Sequence, residues 1–371
     1  MLDLDWFINS KKLRYKKIRL AVKYLQNKNR ILYLDVARTI AILLVVFTHV
    51  HEQIGINNDI MKSIFYSIDR MGVPIFFMLS GGLILPKLTS ETNYFKFYKK
   101  RIPQFIILLF FYSVLTTTVQ NYLLNKNLSY SFIDALKNYN GIFPLNSGGA
   151  IQLWFMHVII QFYFFAPFLA KLLNKLSNKE IIILLMLSLM PVYFRELLRV
   201  VFNINLDVLN IIGIDFLTPW LVYFLIGYLI IERKIKNFLY LDYIMLIVPI
   251  VLLTIYEIYT NKFHEEFHWY STSIFIFISS VGLFSLIKYY FEKSSYNKYI
   301  YLFFFNTSKL SFGIYLIHHL ILYFILYKFK NIIPKLIFGV KYLFVFIIVF
   351  LLSYIIVYLI SKNKNFKFFV Q

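Results

Sequence analysis

Arg38 and His49 stand eleven residues apart in the strongly apolar segment 33–49, YLDVARTIAILLVVFTH. Eleven residues are about three helical turns plus roughly 20°, so in a helix the two side chains share one face, about 16 Å apart along the axis. A guanidinium in a membrane span is costly unless it meets a partner, a bundle interior or a water-filled cavity, so it reads as functional by default. The pair would offer a cation that holds an anion near one interface and, deeper in, an imidazole that can move a proton or act as nucleophile.

The surrounding elements must therefore cross a bilayer. The 371 residues are 60% hydrophobic and only 15% charged, and the apolar residues fall in runs of about spanning length. About ten spans are expected, at roughly 31–50, 64–85, 102–120, 151–172, 181–202, 211–231, 241–260, 270–290, 310–327 and 342–360. The expected fold is an all-α polytopic membrane bundle, with no loop long enough for a separate soluble domain.

Lys and Arg gather in cytoplasmic segments of membrane proteins. Placing residues 1–30 inside puts the basic clusters of 11–30, 86–102, 171–179, 231–240, 288–309 and 361–371 on that side, so both termini are expected to be cytoplasmic. The four lysines Lys328, Lys330, Lys335 and Lys341 fall on the other side and weaken the pattern locally. The basic segment 11–30 carries Leu13, Ile18, Leu20, Val22 and Leu25 and suits an anionic inner leaflet. The formal charge of +21 is spread through short loops, which speaks against nucleic acid as a partner. Zero cysteines exclude disulfides, thiol chemistry and iron–sulfur sites.

Further polar groups interrupt other spans. Asp69 and Arg70 open the second, and Ser80, Gly81 and Gly82 close it with small residues that favour close helix approach. His157 and Gln161 lie four apart on one helix face, as suits an interhelical hydrogen bond or a catalytic role. His318 and His319 place two imidazoles in the ninth span. Lys96, Lys99, Lys100 and Arg101 cluster before the third, either as ordinary cytoplasmic charge or as phosphate ligands. Asp35, one turn before Arg38, is read as its ion-pair partner. The segment His264-Glu265-Glu266-Phe267-His268 satisfies H-E-x-x-H, but it occupies a short loop with no third ligand nearby, so no metal site is expected.

Residues 34–49, with Arg and His flanking ten residues, resemble the signature of the integral-membrane acyltransferases that O-acylate bacterial surface polysaccharides, acyltransferase family 3. Segments 73–84 (VPIFFMLSGGLI), 98–103 (YKKRIP), 153–167 (LWFMHVIIQFYFFAP), 224–230 (FLIGYLI) and 311–318 (SFGIYLIH) resemble its later blocks in the same order. Gln104 stands where the family carries a second Arg, three residues after Arg101. The resemblance implies a basic cytoplasmic segment 1–30, a transmembrane acyltransferase domain 31–360 and a cytoplasmic tail 361–371, in a bacterial inner membrane. It implies transfer from a cytoplasmic acyl-CoA, usually acetyl-CoA, to a hydroxyl of a surface glycan or lipid-linked oligosaccharide. In that reading Arg38, Lys99, Lys100 and Arg101 hold donor phosphates or polarise the acyl carbonyl, and His49 deprotonates the acceptor or carries the acyl group. Ser80, His157 and His318 are further candidates for lining the pocket. The competing reading is a transporter or flippase of a lipid-linked sugar or small anion, with Arg38 and His49 lining its path.

Overall fold

The computed structural model describes residues 31–89, 94–137, 149–206, 219–236, 238–292 and 297–370. The expected amphipathic segment 11–30 lies outside them. The described residues form an all-α bundle with no strand. In chain order the helices are α1 (Leu32–Ile54), α2 (Asp59–Asp69), α3 (Gly72–Thr89), α4 (Tyr94–Asn125), α5 (Leu128–Lys137), α6 (Trp154–Lys175), α7 (Asn178–Leu189), α8 (Arg195–Phe202), α9 (Leu221–Ile231), α10 (Leu239–Thr260), α11 (Ile274–Phe291), α12 (Lys298–Lys328) and α13 (Phe338–Lys362).

Nine helices or helix pairs among the described residues are long and apolar enough to cross a membrane. The remaining expected span, at 211–231, is represented by the shorter α9; its first part lies outside the described residues. Several of these helices end or begin for a local reason. At the end of α1, Gly55 takes φ 81°, a left-handed conformation open to glycine at little cost, and its carbonyl accepts a hydrogen bond from the Tyr342 hydroxyl at 2.8 Å. At the start of α7, Ser177 and Glu180 form a reciprocal capping box. Between α7 and α8, Met190–Phe194 forms a π-helical turn that begins next to Pro191.

The second span is two helices. Pro74 has no N–H to give the carbonyl of Arg70, and its ring would clash with that carbonyl in a continuous helix. The helix ends at Asp69 and restarts at Gly72, where proline is tolerated in the first turn. Gly72 sits so close to α1 that a Cβ there would lie 2.8 Å from the Ala41 carbonyl oxygen. The break thus docks against α1 and leaves Asp69 and Arg70 buried in the bundle, 1% and 6% exposed.

In the absence of a strong hydrophobic drive between helices in lipid, close approach of backbones decides which helices pair. Gly81, Gly82 and Gly227 form such a seam between α3 and α9: a Cβ on Gly81 or Gly227 would overlap the backbone of Phe224 or Met78. The backbone itself would have to move. We expect Gly227→Ala to destabilise the bundle by about 1–3 kcal/mol through overpacking, read as a lower thermal midpoint and a loss of monodisperse protein in detergent.

The interior of the bundle is built by α1, α3, α9, α11 and α12, with α1 packed on both α12 and α3. The outside is equally defined. Ile244, Ile247, Val248, Val251, Leu252 and Ile255 repeat at helical spacing on α10 and are exposed, the pattern of a lipid-facing stripe. The segment after α13 folds back on the bundle: Tyr112 donates to the Phe369 carbonyl at 2.9 Å, and Val370 is fully buried beside Gly313.

Candidate active site

Arg38 and His49 lie on α1, as their spacing requires, and each is fixed by a neighbouring element. Arg38 Nη1 donates to Ser308 Oγ on α12 at 3.2 Å and stands 3.9 Å from the Asp35 carboxylate. Ser308 Oγ in turn donates to Asp35 Oδ1 at 2.6 Å. Asp35, Ser308 and Arg38 thus form one charge-assisted set that offsets the cost of a guanidinium at this depth. Part of the Arg38 side chain, 29%, stays exposed toward a cavity.

His49 is oriented by Glu52, one turn later on α1. Its Nδ1 lies 3.1 Å from Glu52 Oε2. A carboxylate oxygen accepts, so Nδ1 donates, and in the neutral ring this leaves the lone pair on Nε2, the tautomer a general base needs. The other Glu52 oxygen is held by Arg70, whose guanidinium also lies 4.4 Å from the ring centre of Trp269 and 4.8 Å from that of Tyr66. The adjacent residues Asp69 and His51 pair with each other. The broken second span therefore supplies a cation that anchors the carboxylate that aims the imidazole.

Two more imidazoles complete the surroundings. The rings of His318 and His319, on α12, lie 5.3 Å and 5.0 Å from that of His49. His318 Nδ1 lies 2.7 Å from the Tyr315 carbonyl, which only accepts, so its Nε2 is left without a proton or a partner among the described residues.

Three neighbouring cavities with shared wall residues lie beside these groups. The largest, of about 480 Å³, is edged by Lys87, Lys96, Lys100, Arg101 and Arg38. It shares Arg38, Phe76, Ser80 and Tyr163 with a second of about 150 Å³ walled largely by aromatic rings, among them Phe105, Phe155 and Phe312. That cavity shares Val45, Val73, Phe155 and Tyr315 with a third of about 20 Å³ beside His49, Arg70 and Gln152. The basic mouth and the imidazole thus lie at opposite ends of a row of neighbouring cavities of falling volume, the first edged by cations, the second walled largely by aromatic rings and the third mostly apolar beside His49.

Not every residue singled out from the sequence lies on this row. Lys100 and Arg101 do, joined by Lys96 and Lys87, whereas Lys99 does not. Ser80 lines two of the cavities, but its hydroxyl donates to the Phe76 carbonyl at 2.8 Å, which commits it to its own helix. His157 lines none of the three: Phe155, Ile159 and Tyr163 form that face of α6, and His157 is about 200° from Phe155 around the axis. The H-E-x-x-H segment forms a 3₁₀ turn over Glu265–His268. His264 bonds Thr260 at 3.2 Å while His268 bonds Glu257 at 3.0 Å, so the two imidazoles do not converge on one ligand. Burial pulls His268 below the usual histidine range, against the Glu257 carboxylate, which pushes it up. Glu52, Arg70 and Gln152 had no assigned role in the sequence reading; the one signal for Glu52 was its place one turn after His49.

A family model for an acyltransferase domain, that of acyltransferase family 3, matches residues 31–362. The chain belongs to that family, and is an acyltransferase built into a membrane. No curated protein and no solved structure matches it.

Proposed function

We propose that the protein is an O-acetyltransferase that moves the acyl group of acetyl-CoA to a hydroxyl of a cell-surface polysaccharide or its lipid-linked precursor. The supporting observation is the row of three cavities from a five-cation mouth to the His49–Glu52 pair. In this reading Arg38, Lys96, Lys100 and Arg101 receive the donor's phosphates. The 16 Å of helical rise between Arg38 and His49 keeps Arg38 from the reacting carbonyl, so its task is holding the donor while the thioester end crosses the aromatic cavity. At His49, Nε2 takes the proton of the acceptor hydroxyl as that oxygen attacks the thioester carbon. The carbon–sulfur bond breaks, and the departing thiolate recovers the proton from the imidazolium. Glu52 stabilises the imidazolium between the two transfers.

In the same reading the protein sits in a bacterial cytoplasmic membrane with both termini and the cationic mouth inside, in line with the distribution of Lys and Arg. The test uses inverted and right-side-out membrane vesicles containing the protein, each given radiolabelled acetyl-CoA. Label should enter membrane glycan in inverted vesicles only. Equal incorporation in sealed vesicles of both kinds would overturn the orientation, and none in either, with lysed vesicles also inactive, would overturn the donor.

Donor binding has its own variant. Lysine at position 38 keeps the charge but loses the planar fork shared among Asp35, Ser308 and the donor. We expect Arg38→Lys to raise the KM for acetyl-CoA about tenfold, the worth of one charge-assisted contact, with a smaller change in kcat. An unchanged donor KM would place the phosphates elsewhere.

A further inference from the structure

Five lysines gather at the end of the bundle opposite the cationic mouth, where the mechanism makes no use of them. The helices α1 and α12 run side by side in the same direction: Arg38 meets Ser308, and further along both helices His49 meets His318 and His319. Continuing along α12, the His319 ring lies edge-on to that of Tyr323, 4.7 Å between centres, and Tyr327 follows one turn later, about 12 Å of helical rise beyond His319. There Lys126, from the end of α4, stands 3.6 Å from the centre of the Tyr327 ring, and Lys330 stands 5.4 Å from it. Lys328 and Lys335 are exposed on the connection to α13. Lys341 lies 4.8 Å from the ring centre of Tyr342, whose hydroxyl donates to Gly55 at the end of α1. These charges are not neutralised locally. Segments 123–137 and 323–345 hold a single acid, Asp134, which accepts from Asn121 at 2.9 Å, and none of the five lysines forms an ion pair among the described residues. Lys126 also takes φ 60°, a conformation that glycine or asparagine holds at less cost, so a charge stands there against backbone preference.

We propose that this surface docks a polyanionic acceptor: the polysaccharide acetylated at His49 carries carboxylate or phosphodiester groups along its chain, and the lysines hold the repeat units next to the one at the imidazole. The inference rests on the donor-to-hydroxyl reading above and adds the charge class of its acceptor. An exposed ammonium binds a free anion weakly, because water competes for it and salt screens it. A chain of linked anions engages several such groups at once, each contact after the first being made at the effective concentration set by the linkage. Lysine suits that task, as a flexible point charge that follows anions at varying positions. Membrane insertion does not call for these residues, since lysines at this end run against the charge distribution that orients the chain. They concentrate in the sector reached along α12 from His318 and His319, which favours the substrate of that site over a lipid headgroup.

The test measures binding of fluorescent oligogalacturonate, and of its methyl ester with the same sugars but no charge, to the purified full-length protein in neutral detergent, with coenzyme A present to occupy the cationic mouth. Wild type should bind the polyuronate and not the ester, and binding should weaken steeply as salt rises. Lys330→Glu/Lys335→Glu should weaken it about tenfold or more. Lys179→Glu/Lys236→Glu, the same change of charge at the other end of the bundle, should leave it within about twofold. Equal losses in the two variants would reduce the effect to net charge and overturn the proposal, as would equal binding of the ester. A thermal midpoint raised by phosphatidylglycerol in wild type but not in Lys330→Glu/Lys335→Glu, with no polyuronate bound by either, would assign the lysines to lipid and overturn it too. In membrane vesicles given acetyl-CoA, Lys330→Glu/Lys335→Glu should raise the KM for membrane glycan and leave that for acetyl-CoA unchanged. An unchanged glycan KM fails the proposal alone, whereas wild type that transfers to no glycan fails the donor-to-hydroxyl reading and the acceptor role with it.

Discussion

We expect His49→Ala to lower kcat for acyl transfer by about 10²–10⁴, the usual contribution of a positioned general base, while leaving insertion and folding nearly intact. Among the described residues the imidazole's hydrogen-bond partner is Glu52, and its removal leaves no buried donor orphaned, because Glu52 keeps Arg70. The donor KM should stay close to wild type, because the cationic mouth lies three helical turns away. His318 and His319 sharpen the test. Both rings lie within 5.3 Å of that of His49, and His318 Nε2 carries a free lone pair, so residual activity in His49→Ala that disappears in His49→Ala/His318→Ala would assign the remainder to His318. A fully active His49→Ala would remove the base from the mechanism altogether.

The second large effect is expected at Glu52. Glu52→Gln preserves size and can still accept from Arg70, but it takes away the negative charge that steadies the imidazolium and lets the amide donate to Nδ1, which would place the imidazole proton on Nε2. A histidine in that tautomer cannot accept the acceptor's proton. We expect kcat to fall by about 10²–10⁴, comparable to loss of the orienting carboxylate in other imidazole-based acyl transfer, with both KM values near wild type. Isotope-edited NMR of the His49 ring would report the proton on Nδ1 in wild type and on Nε2 in the variant. Retention of both the rate and the Nδ1 proton in Glu52→Gln would reduce Glu52 to an ordinary ion-pair partner of Arg70.

The sequence carried the α class, the number of spans to within one, and the shared face of Arg38 and His49, because those depend only on apolar run length and helical period. Asp35 as partner of Arg38 was legible for the same reason, being one turn away on the same helix. The part of the site that depends on distant chain segments was not. Arg70 reaches Glu52 only because the second span breaks at residue 70 and docks Gly72 on Ala41, and Pro74 announces a break without saying what it packs against. Gln152 carried no mark at all: its place at the His49 cavity follows from the Tyr315 hydroxyl on α12, a contact across more than a hundred and sixty positions of chain. Lys99 and His157 have the chemistry expected of them but are not among the wall residues of the three cavities; for His157 the reason is helical phase, which apolar residues all round a membrane helix hide.

The narrowing of the cavity row from about 480 to 150 to 20 Å³ also bears on electrical insulation. An enzyme that works between two aqueous compartments must not short-circuit the membrane potential, which drives each leaking elementary charge with about 2.3 kcal/mol per 100 mV. Space for a single water at the tightest point cannot admit a hydrated ion, and the ring of Phe105, Phe155 and Phe312 ahead of it offers no ligands to replace a lost hydration shell. In the proposed reading, the same constriction that confines the reacting groups would also keep the bilayer a good capacitor.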